Sequence, residues 1–518
     1  MMKSSLSYLL QNISGISGDV PADIFVTGVT LDSRAITNGM LFVALKGTQT
    51  HGLEYALKAQ NLGAIAVIWE ADNTNDVVAL VGSLSIPAIE VKNLSRQLGI
   101  IAARFYRLFD EEQNIKTNYG LKLLGVTGTD GKTTVSHFFA QAMNALGRTT
   151  AVIGTLGVGL PNKLEASTHT TPDVLTVHKI LHDLAVDGAE FVAMEVSSHA
   201  LDQKRVNGVE FDVAILTNLM RDHLDYHGTI EAYAAAKEKL FLRPELQAVV
   251  LNADDDFSQQ IEKKLLQANV NNKVEKITYA VRSNQAGCDS DDQLFAYDAR
   301  FTVDGISAQV SFGKDTAEIK APVLGRFNLS NLLAVLAAML VVDVKFTDAV
   351  ASLSAVSTVP GRMERVEEKN TSGVLVVVDY AHTPGALESV LQALRGHTQQ
   401  RVVCVFGCGG DRDRGKRPLM AKAAEQGADV VIVTDDNPRT ESPAVIVSEI
   451  VVGFAQPQKV MIEHDRAKAI RMALKQAKKG DVVLIAGKGH EQVQILAHTI
   501  EPFDDRQQAA QALQELVA

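Results

Sequence analysis

The sequence predicts an α/β protein with three domains, and three observations support this fold class. The chain has 518 residues, a length that corresponds to about three or four domains. Short apolar runs alternate with helical segments through its middle and its end, a pattern typical of parallel sheets covered by helices. A glycine-rich loop also lies between an apolar run and a helical segment, as phosphate-binding loops do.

The first predicted domain, residues 1–92, is a small α/β unit. It contains one helical stretch near Tyr55–Gln60. Its β-like runs are Ile24–Val29, Leu41–Leu45, Ala64–Ile68 and Ala88–Val91. Runs of this length are typical of the strands of a small sheet.

The central domain, residues 93–357, is predicted to contain a parallel sheet around the glycine-rich loop. The strand candidates are Leu121–Val126, Phe191–Glu195, Val213–Thr217 and Ala248–Asn252. The helix candidates include Thr133–Leu146, Val174–Val186 and Thr229–Phe241. A β-rich insertion, residues 295–324, precedes the apolar run 332–342, which we interpret as a buried helix between Asn331 and Asp343 because it is too short to cross a membrane.

The C-terminal domain, residues 358–518, is predicted to be doubly wound. Its strand candidates are Val374–Asp379, Val402–Phe406, Val430–Thr434, Val460–Ile462 and Val483–Ala486, separated by helices such as Gly385–Leu394 and Ala467–Ala477. Polar clusters follow four of these strands, at residues 379–382, 409–417, 435–439 and 487–491. Ligands of such sheets bind beyond the carboxyl ends of the strands, so the four clusters predict one binding site.

Composition and charge narrow the class of protein. Hydrophobic residues make up 46% of the chain and the formal charge is −11, which argues against nonspecific nucleic-acid binding. Cys288, Cys404 and Cys408 show no metal-type spacing, and this indicates a reducing, cytoplasmic compartment. The N-terminus has no apolar signal-peptide core. We expect no nucleic-acid partner, no membrane span and a monomer.

The phosphate loop is Gly128-Thr129-Asp130-Gly131-Lys132-Thr133-Thr134. Val126 stands where a strict Walker A motif has glycine, so the loop is a shorter variant. Its backbone N–H groups and the helix N-terminus form an anion site, Lys132 neutralises phosphate charge, and the Thr133 hydroxyl can bind Mg²⁺. The loop therefore predicts nucleoside triphosphate chemistry.

Three further side chains are candidates for this chemistry. Glu195 ends a strand of the same domain, where other phosphate-loop enzymes place an acidic Mg²⁺ ligand. His223 lies in the segment 218–227, which is dense in possible ligands. Lys237 lies on an amphipathic helix, and its spacing alone favours an ordinary surface lysine.

A series of motifs resembles the Mur ligases, the ATP-dependent amide-bond ligases of peptidoglycan precursor synthesis. In chain order the motifs are Thr-Gly-Thr-x-Gly-Lys-Thr, Glu-Val-Ser-Ser-His, Arg-Asp-His-Leu-Asp-Tyr-His, Gly-Arg-Met-Glu, Asp-Tyr-Ala-His-Thr-Pro and Asp-Asn-Pro-Arg. The resemblance spans nearly the whole chain. It implies a UDP-substrate-binding first domain, a P-loop ATP-binding central domain and a Rossmann-like amino-acid-binding C-terminal domain.

The resemblance also implies a reaction. ATP would phosphorylate the D-glutamyl γ-carboxylate of UDP-N-acetylmuramoyl-L-Ala-D-Glu, and the amine of meso-diaminopimelate would attack the acyl phosphate. Carboxylate and γ-phosphate repel one another, so cations must bridge them, and the expected cofactor is Mg²⁺ with ATP as co-substrate. Domain closure is expected, because the ATP loop and the amino-acid site lie in separate domains.

Site residues follow from the matching motif positions. The catalytic residues would be Lys132, Glu195, His223 and Lys237, and the metal ligands Thr133, Glu195, His223 and Lys237, the last as a carbamate. ATP would contact Gly128, Thr129, Asp130, Gly131, Lys132, Thr133, Thr134, Asn328, Asn331, Arg362, Asp379 and His382. The UDP-muramoyl dipeptide would contact Leu31, Ser33, Thr48, Gln49, Thr50, His169, Thr170, Thr171, Ser197, Gln203 and Arg205. His169 and Asp130 stand where asparagine is commoner in the family.

The amino-acid site would consist of Arg412, Asp436, Asn437, Pro438, Arg439, Gly487 and Glu491. Diaminopimelate differs from lysine by a distal carboxylate, which a guanidinium can bind through two parallel hydrogen bonds. Arg439 with Arg412 would supply that contact. Asn-Pro also favours a simple turn, which is the alternative interpretation of this motif.

Two other classes of function stay open at this point. One is a related ligase, either a folylpolyglutamate synthase-like enzyme or a lysine-adding Mur ligase. The other is a nucleotide-binding switch protein without ligase activity. Glu195, His223 and Lys237 argue against the switch, and the N-terminal uridine-type block argues against folate.

Overall fold

The computed structural model describes residues 2–47, 50–71, 80–108, 117–167, 169–267, 274–284, 292–366, 373–497 and 499–517. The predicted three-domain α/β architecture is confirmed, with a main β-sheet in each domain. By contacts the chain divides into two compact units, residues 1–277 and 278–518. The domain boundaries after residues 92 and 357 stay predictions.

The first sheet of the N-terminal unit has five strands. Their order is Ile16–Ser17, Ala88–Val91, Ala66–Glu70, Met40–Ala44 and Gly28–Thr30, and the last four are parallel. A separate pair, Ser4–Ser5 and Phe25–Val26, lies antiparallel. The helices are Leu6–Leu9, Ala56–Asn61 and Leu94–Phe105, with 3₁₀ turns at Ser33–Ala35 and Gly52–Tyr55.

The second sheet of this unit holds the phosphate loop. Its strand order is Lys163–Glu165, Gly157–Leu160, Thr150–Gly154, Phe191–Glu195, Lys122–Thr127, Val213–Leu216 and Ala248–Asn252. The last five strands are parallel. Four of them were predicted, whereas Thr150–Gly154 and the following hairpin were not anticipated. The helices are Lys132–Ala145, Val174–Val186, Ser198–Asp202, Leu224–His227, Ile230–Phe241 and Asp256–Gln267, with a 3₁₀ turn at Thr117–Gly120.

The C-terminal unit begins within the strand Glu275–Val281 and continues with antiparallel strands Gln293–Thr302, Gly305–Phe312 and Asp315–Ala321, the predicted β-rich insertion. The apolar helix that follows is Arg326–Leu340. Asn331 therefore lies inside this helix rather than before it, because the helix starts after Gly325. Phe346–Ser352 and Leu353–Ala355 come next. The described part of the chain contains no helix long and apolar enough to cross a membrane.

The last sheet has six strands. Their order is Glu364–Arg365, Leu375–Asp379, Val482–Ala486, Val402–Phe406, Val430–Val433 and Met461–Ile462. All but the first are parallel. The helices are Pro384–Arg395, Lys416–Gly427, Pro443–Val451, Arg466–Gln476 and Asp505–Val517, with a 3₁₀ turn at Pro457–Lys459 and a hairpin of Val493–Leu496 and Thr499–Pro502.

Both faces of this sheet are buried, which explains why its strands are continuous apolar runs. Leu375 and Val377 pack into one core, and Val376 and Val378 pack into the core on the other face. Helices Pro384–Arg395, Lys416–Gly427 and Pro443–Val451 cover the first face, and Arg466–Gln476 and Asp505–Val517 cover the second. The doubly wound prediction is confirmed.

The two helices of the second face share a buried ion pair. Arg466 donates to both oxygens of Asp505 at 2.7 Å, and neither side chain is exposed. A second pair, between Arg471 and Glu515, joins the same helices at 3.4 Å but is partly exposed. Removing one partner from a buried pair leaves an uncompensated charge, whereas solvent compensates the partly exposed one.

We expect Asp505→Asn to lower the free energy of unfolding by about 3–5 kcal/mol, because Arg466 would keep its charge without a counterion. Glu515→Gln, the matched control, should change it by less than about 1 kcal/mol. Urea denaturation measures both variants. Equal, small losses would show that the buried pair does not stabilise this unit.

Candidate active site

The phosphate loop connects the strand Lys122–Thr127 to the helix Lys132–Ala145. Lys132 is the first residue of the helix, as predicted. Its Nζ donates to the carbonyl oxygens of Gly128 at 2.9 Å and Thr129 at 2.8 Å. The ammonium therefore lies against the loop, where it can neutralise phosphate charge.

Two residues at the end of the neighbouring strand hold the loop in place. The Thr217 hydroxyl donates to the carbonyl oxygen of Asp130 at 2.5 Å, and the Asp130 N–H donates to Asn218 Oδ1 at 2.9 Å. A Cβ on Gly128, whose φ is +152°, would lie 1.8 Å from Thr217 Oγ1. Asp130 is exposed and these contacts use its backbone. An aspartate in place of asparagine therefore leaves the described loop contacts intact.

Glu195 ends the strand Phe191–Glu195, and its side chain is fully buried. The carboxylate accepts hydrogen bonds from Thr133 Oγ1 at 2.9 Å, from the Thr155 N–H at 2.8 Å and from Thr155 Oγ1 at 3.1 Å. Burial raises the pKa of this carboxyl, while the hydrogen bonds and the charge of Lys132 oppose the rise. An anion buried in this way favours a cation beside it.

Thr155 was missed by the sequence analysis, because it follows the strand Thr150–Gly154, which was not anticipated. Gly154, the last residue of this strand, lies very close to the Glu195 carboxylate. A Cβ on Gly154 would lie 2.0 Å from Glu195 Oε1. The absence of a side chain at Gly154 is therefore what lets the carboxylate occupy its position.

Thr133 and Glu195 fit the magnesium ion that nucleotide chemistry requires. Mg²⁺ on a nucleoside triphosphate needs only one or two protein ligands besides the phosphates, and a hydroxyl paired with a buried carboxylate supplies them. In the described residues, no group of three or more His, Cys, Asp or Glu side chains could hold a metal ion. A metal site here would thus depend on the nucleotide as well as on the protein.

His223 has a φ of +52° and precedes the helix Leu224–His227. Its ring packs edge-on against His199, with centroids 4.9 Å apart, and against Tyr233 at 5.9 Å. Its Nε2 lies 3.4 Å from a carboxylate oxygen of Asp222. No described contact joins it to Glu195, and its role as a metal ligand stays a prediction.

Lys237 is buried, although its helical spacing alone indicated a surface residue. Only 1% of Lys237 is exposed, and its Nζ donates to the Gly128 carbonyl oxygen at 2.6 Å. The same atom lies 4.5 Å from the centroid of the Tyr233 ring. Burial and the nearby charge of Lys132 hold the pKa of Lys237 well below its usual value. The structure thus brings this lysine to the phosphate loop.

Five of the residues assigned to the UDP-muramoyl dipeptide form a connected group next to Glu195. The Thr171 hydroxyl donates to the Glu195 carbonyl oxygen at 2.8 Å and accepts from the Ser197 N–H at 3.2 Å. Arg205 donates to the Thr171 carbonyl oxygen at 3.0 Å and to Gln203 Oε1. Thr170 Oγ1 lies 3.0 Å from Thr155 Oγ1. The structure brings these five residues together, and their contact with the dipeptide stays a prediction.

The structure shows fewer contacts for the other residues assigned to the UDP-muramoyl dipeptide. Leu31 follows the strand Gly28–Thr30, Ser33 begins a 3₁₀ turn, and the Thr50 carbonyl oxygen accepts from the Gly47 N–H at 3.1 Å. His169 is exposed. Thr48 and Gln49 lie outside the described residues. The contacts of these residues with a uridine nucleotide stay predictions.

In the C-terminal unit, two buried asparagines lie near the start of the helix Arg326–Leu340. Asn328 donates to the Leu324 carbonyl oxygen at 2.7 Å, and Asn331 donates to Asn328 Oδ1 at 3.0 Å. These bonds order the first turns of the helix. Direct contact of either amide with adenine stays a prediction.

Arg362, Asp379 and His382 gather around Tyr380. The Arg362 guanidinium lies 5.0 Å from the Tyr380 ring centroid, and the His382 ring lies 4.6 Å from it. Both oxygens of Asp379 accept backbone N–H groups at 2.7 Å, from Met363 and Ala381. Burial raises the pKa of Asp379. Asp379 thus fixes the loop that carries the other two residues.

The residues assigned to diaminopimelate lie at the carboxyl ends of neighbouring parallel strands, where the four polar clusters were predicted to meet. A Cβ on Gly409 would lie 2.9 Å from Arg439 Nη1 and 3.8 Å from Arg412 Cγ, so these two arginines flank the same glycine. A Cβ on Gly487 would lie 2.7 Å from Asp436 Oδ2. We call Arg412, Asp436, Asn437, Pro438, Arg439, Gly487 and Glu491 the diaminopimelate set.

Arg417 was also missed, and it joins the two loops that carry the arginines. It is fully buried and donates to both oxygens of Glu441, at 3.0 and 2.8 Å. It also donates to the Gly409 carbonyl oxygen at 3.2 Å and to Glu449 at 2.6 Å. These partners are far apart in sequence, so no local pattern signals the network.

We expect Gly154→Ala to weaken binding of Mg²⁺·ATP about 100-fold, because the new methyl group would displace the Glu195 carboxylate. Gly82→Ala is the matched control, since a Cβ there would meet nothing within 4 Å. Isothermal titration calorimetry measures both. Unchanged affinity in Gly154→Ala would show that the position of Glu195 does not matter for the nucleotide.

Three family models match the chain in succession. The Mur ligase family, catalytic domain, matches residues 25–106, the Mur ligase middle domain matches residues 126–339, and the Mur ligase, glutamate ligase domain, matches residues 361–489. The middle-domain region contains the phosphate loop, and the glutamate ligase region contains all of the diaminopimelate set except Glu491.

Full-length relatives support the same family. A Coxiella burnetii protein named UDP-N-acetylmuramoyl-L-alanyl-D-glutamate–2,6-diaminopimelate ligase is 42% identical over 98% of this chain and 99% of its own length. The Pseudomonas aeruginosa protein of that name is 46% identical over 95% and 96%. The solved structure of a ligase of that name is 34% identical, covers 100% of both chains and has a TM-score of 0.75. The chain belongs to the Mur ligase family.

Proposed function

We propose that this chain is the ligase that joins meso-diaminopimelate to the D-glutamyl γ-carboxylate of UDP-N-acetylmuramoyl-L-Ala-D-Glu, with hydrolysis of ATP. The full-length similarity to ligases of that name supports the proposal. The observation that carries it is the diaminopimelate set, in which Arg412 and Arg439 flank one glycine beside Asn437 and Glu491. Such a group offers cations to a carboxylate and an anion to an ammonium, the two groups at the distal end of diaminopimelate.

The N-terminal unit would carry out the phosphorylation. Lys132 would bind the phosphates of ATP, and Thr133 and Glu195 would hold Mg²⁺, whose charge would reduce the repulsion between γ-phosphate and the substrate carboxylate. Arg205, bound to Thr171 beside Glu195, holds the acidic dipeptide. The substrate carboxylate attacks the γ-phosphorus and ADP leaves. The amine then attacks the acyl carbon of the acyl phosphate, the C–O bond to phosphate breaks, and orthophosphate leaves as the amine loses a proton.

Lys237 would act as a carbamate. Its pKa is lowered by burial and by the charge of Lys132, which favours the neutral amine, the form that reacts with CO₂. The product keeps one N–H, which can still donate to the Gly128 carbonyl oxygen. Carbamylation would thus add an anion at the loop without removing the contact that positions the side chain. His223 would complete the metal ligands.

The amino-acid site would select by charge. Arg439 Nη1 donates to the Gly410 carbonyl oxygen at 2.8 Å, which orients the guanidinium. Lysine offers no distal carboxylate and would leave this cation without a partner, so a polar site of this kind can reject it by about 10⁴-fold. A cytoplasmic location and a monomeric state belong to the same proposal, and Cys404 and Cys408 are both free thiols.

The purified protein, supplied with ATP, Mg²⁺ and the UDP-muramoyl dipeptide, tests the proposal when it is offered meso-diaminopimelate or L-lysine. Mass spectrometry of the product should show diaminopimelate addition. Preference for lysine would indicate the lysine-adding ligase, and ATP hydrolysis independent of both substrates would indicate a nucleotide switch.

We expect Lys237→Ala to lose ligase activity in a way that added bicarbonate does not restore. Wild type in CO₂-depleted buffer should lose activity and regain it with bicarbonate, because its amine can be carbamylated again. Lys239→Ala is the control, since Lys239 lies on the same helix and pairs with Asp202 at the surface. ¹³C NMR with labelled bicarbonate detects the carbamate. Full activity of Lys237→Ala would contradict the assignment.

We expect Arg439→Ala to abolish use of meso-diaminopimelate while binding of ATP survives, because the proposed ligand of the guanidinium is the distal carboxylate of the amino acid and not the nucleotide. Arg395→Ala, which removes a half-exposed pair with Asp429, should leave the activity near that of wild type. Steady-state kinetics and nucleotide titration separate the two functions. An equal loss of both would refute the role given to Arg439.

A further inference from the structure

Lys488 contacts Asn437 and Glu491 of the diaminopimelate set, although it was not among the site residues predicted from the sequence. Its side chain is fully buried, and its Nζ donates to Asn437 Oδ1 at 3.0 Å and to Glu491 Oε2 at 3.1 Å. A buried ammonium is tolerated only with partners of this kind. Lys488 is therefore part of the interior of the site.

The network fixes the orientation of the Asn437 amide. Lys488 Nζ and the Ile495 N–H, at 3.0 Å each, point to the same atom of that amide. Both groups are donors only, so this atom must be the oxygen. The amide nitrogen consequently donates to Glu491 Oε2 at 2.9 Å.

Glu491 receives both donors on one oxygen. Lys488 and Asn437 bind Oε2, and in the part of the chain that the structure describes no hydrogen bond reaches Oε1. The Glu491 side chain is 31% exposed, so this second oxygen is accessible. A carboxylate oriented in this way can accept a hydrogen bond from an ammonium group.

We propose that Lys488 is a positioning residue, which holds Glu491 and Asn437 in the orientation that receives the distal amino group of the amino-acid substrate. The inference rests on the proposed function and adds a determinant of amino-acid affinity to it. Lys488 itself does not touch the substrate. Without it, Glu491 loses its fixed rotamer and the compensation of its charge, and the loss falls on the amino acid rather than on ATP.

Lys488→Met tests the inference through the Michaelis constants of the three substrates. KM for meso-diaminopimelate should rise about 10- to 100-fold, the range that a charged hydrogen bond contributes, while KM for ATP and for the UDP-muramoyl dipeptide stays within about twofold. Lys475→Met, at an exposed position of the same unit, is the control. An equal rise in all three constants, or no rise in any, would overturn the inference.

The same substitution in a Glu491→Gln background gives a second test. Here Lys488→Met should raise KM for diaminopimelate by clearly less than it does in the wild-type background, because the ion pair with Glu491 is already gone and only the contact with Asn437 is left to lose. The double variant leaves neither buried charge unpaired, so it remains informative if the single variant does not fold. A large further rise in KM would overturn the inference. Wild type that does not use diaminopimelate would instead overturn the proposed function.

Discussion

A carboxylate with no exposed surface, Glu195, determines the arrangement of the nucleotide site. Its three hydrogen bonds come from Thr133 and Thr155, and Gly154 provides the space for it. Burial makes the charged form of the Glu195 carboxyl costly, so the carboxylate needs positive charge beside it. Lys132 supplies part of it, and a metal ion with the nucleotide would supply the rest. The same positive charge would reduce the repulsion between two anionic substrates and so allow them to approach one another.

The amino-acid site also depends on fixed charges, but here both cationic and anionic side chains are present. Lys488 compensates Glu491, and Arg417 compensates Glu441, so ion pairs within the protein hold three of the loops at the strand ends. In the proposed function, Arg412 and Arg439 would face a ligand carboxylate. Fixed charges of this kind need no reorganisation when the substrate binds, which favours discrimination between amino acids that differ by one ionised group.

Much of the fold could be predicted from the sequence, because its parallel strands are short apolar runs followed by polar clusters. Phe191–Glu195, Ala248–Asn252 and Val402–Phe406 have the predicted bounds, and Glu195 was recognised from its place at a strand end. Other features depend on tertiary contacts. The burial of Lys237 against Tyr233 contradicts what its helical spacing indicated. Thr155 and Arg417 act through partners that are distant in sequence, as Lys488 does through Asn437. Arg417 and Lys488 lie in the predicted polar clusters, but their individual roles depend on these contacts.

In the proposed reaction, the N-terminal unit brings a substrate carboxylate and the γ-phosphate of ATP together to form an acyl phosphate. Isotope transfer tests it most directly, with the dipeptide γ-carboxylate labelled with ¹⁸O and the released orthophosphate examined by mass spectrometry. One labelled oxygen should pass into the phosphate for each amide bond formed, because the acyl phosphate carries that oxygen between the two groups. Unlabelled phosphate, with the amide product still forming, would contradict it.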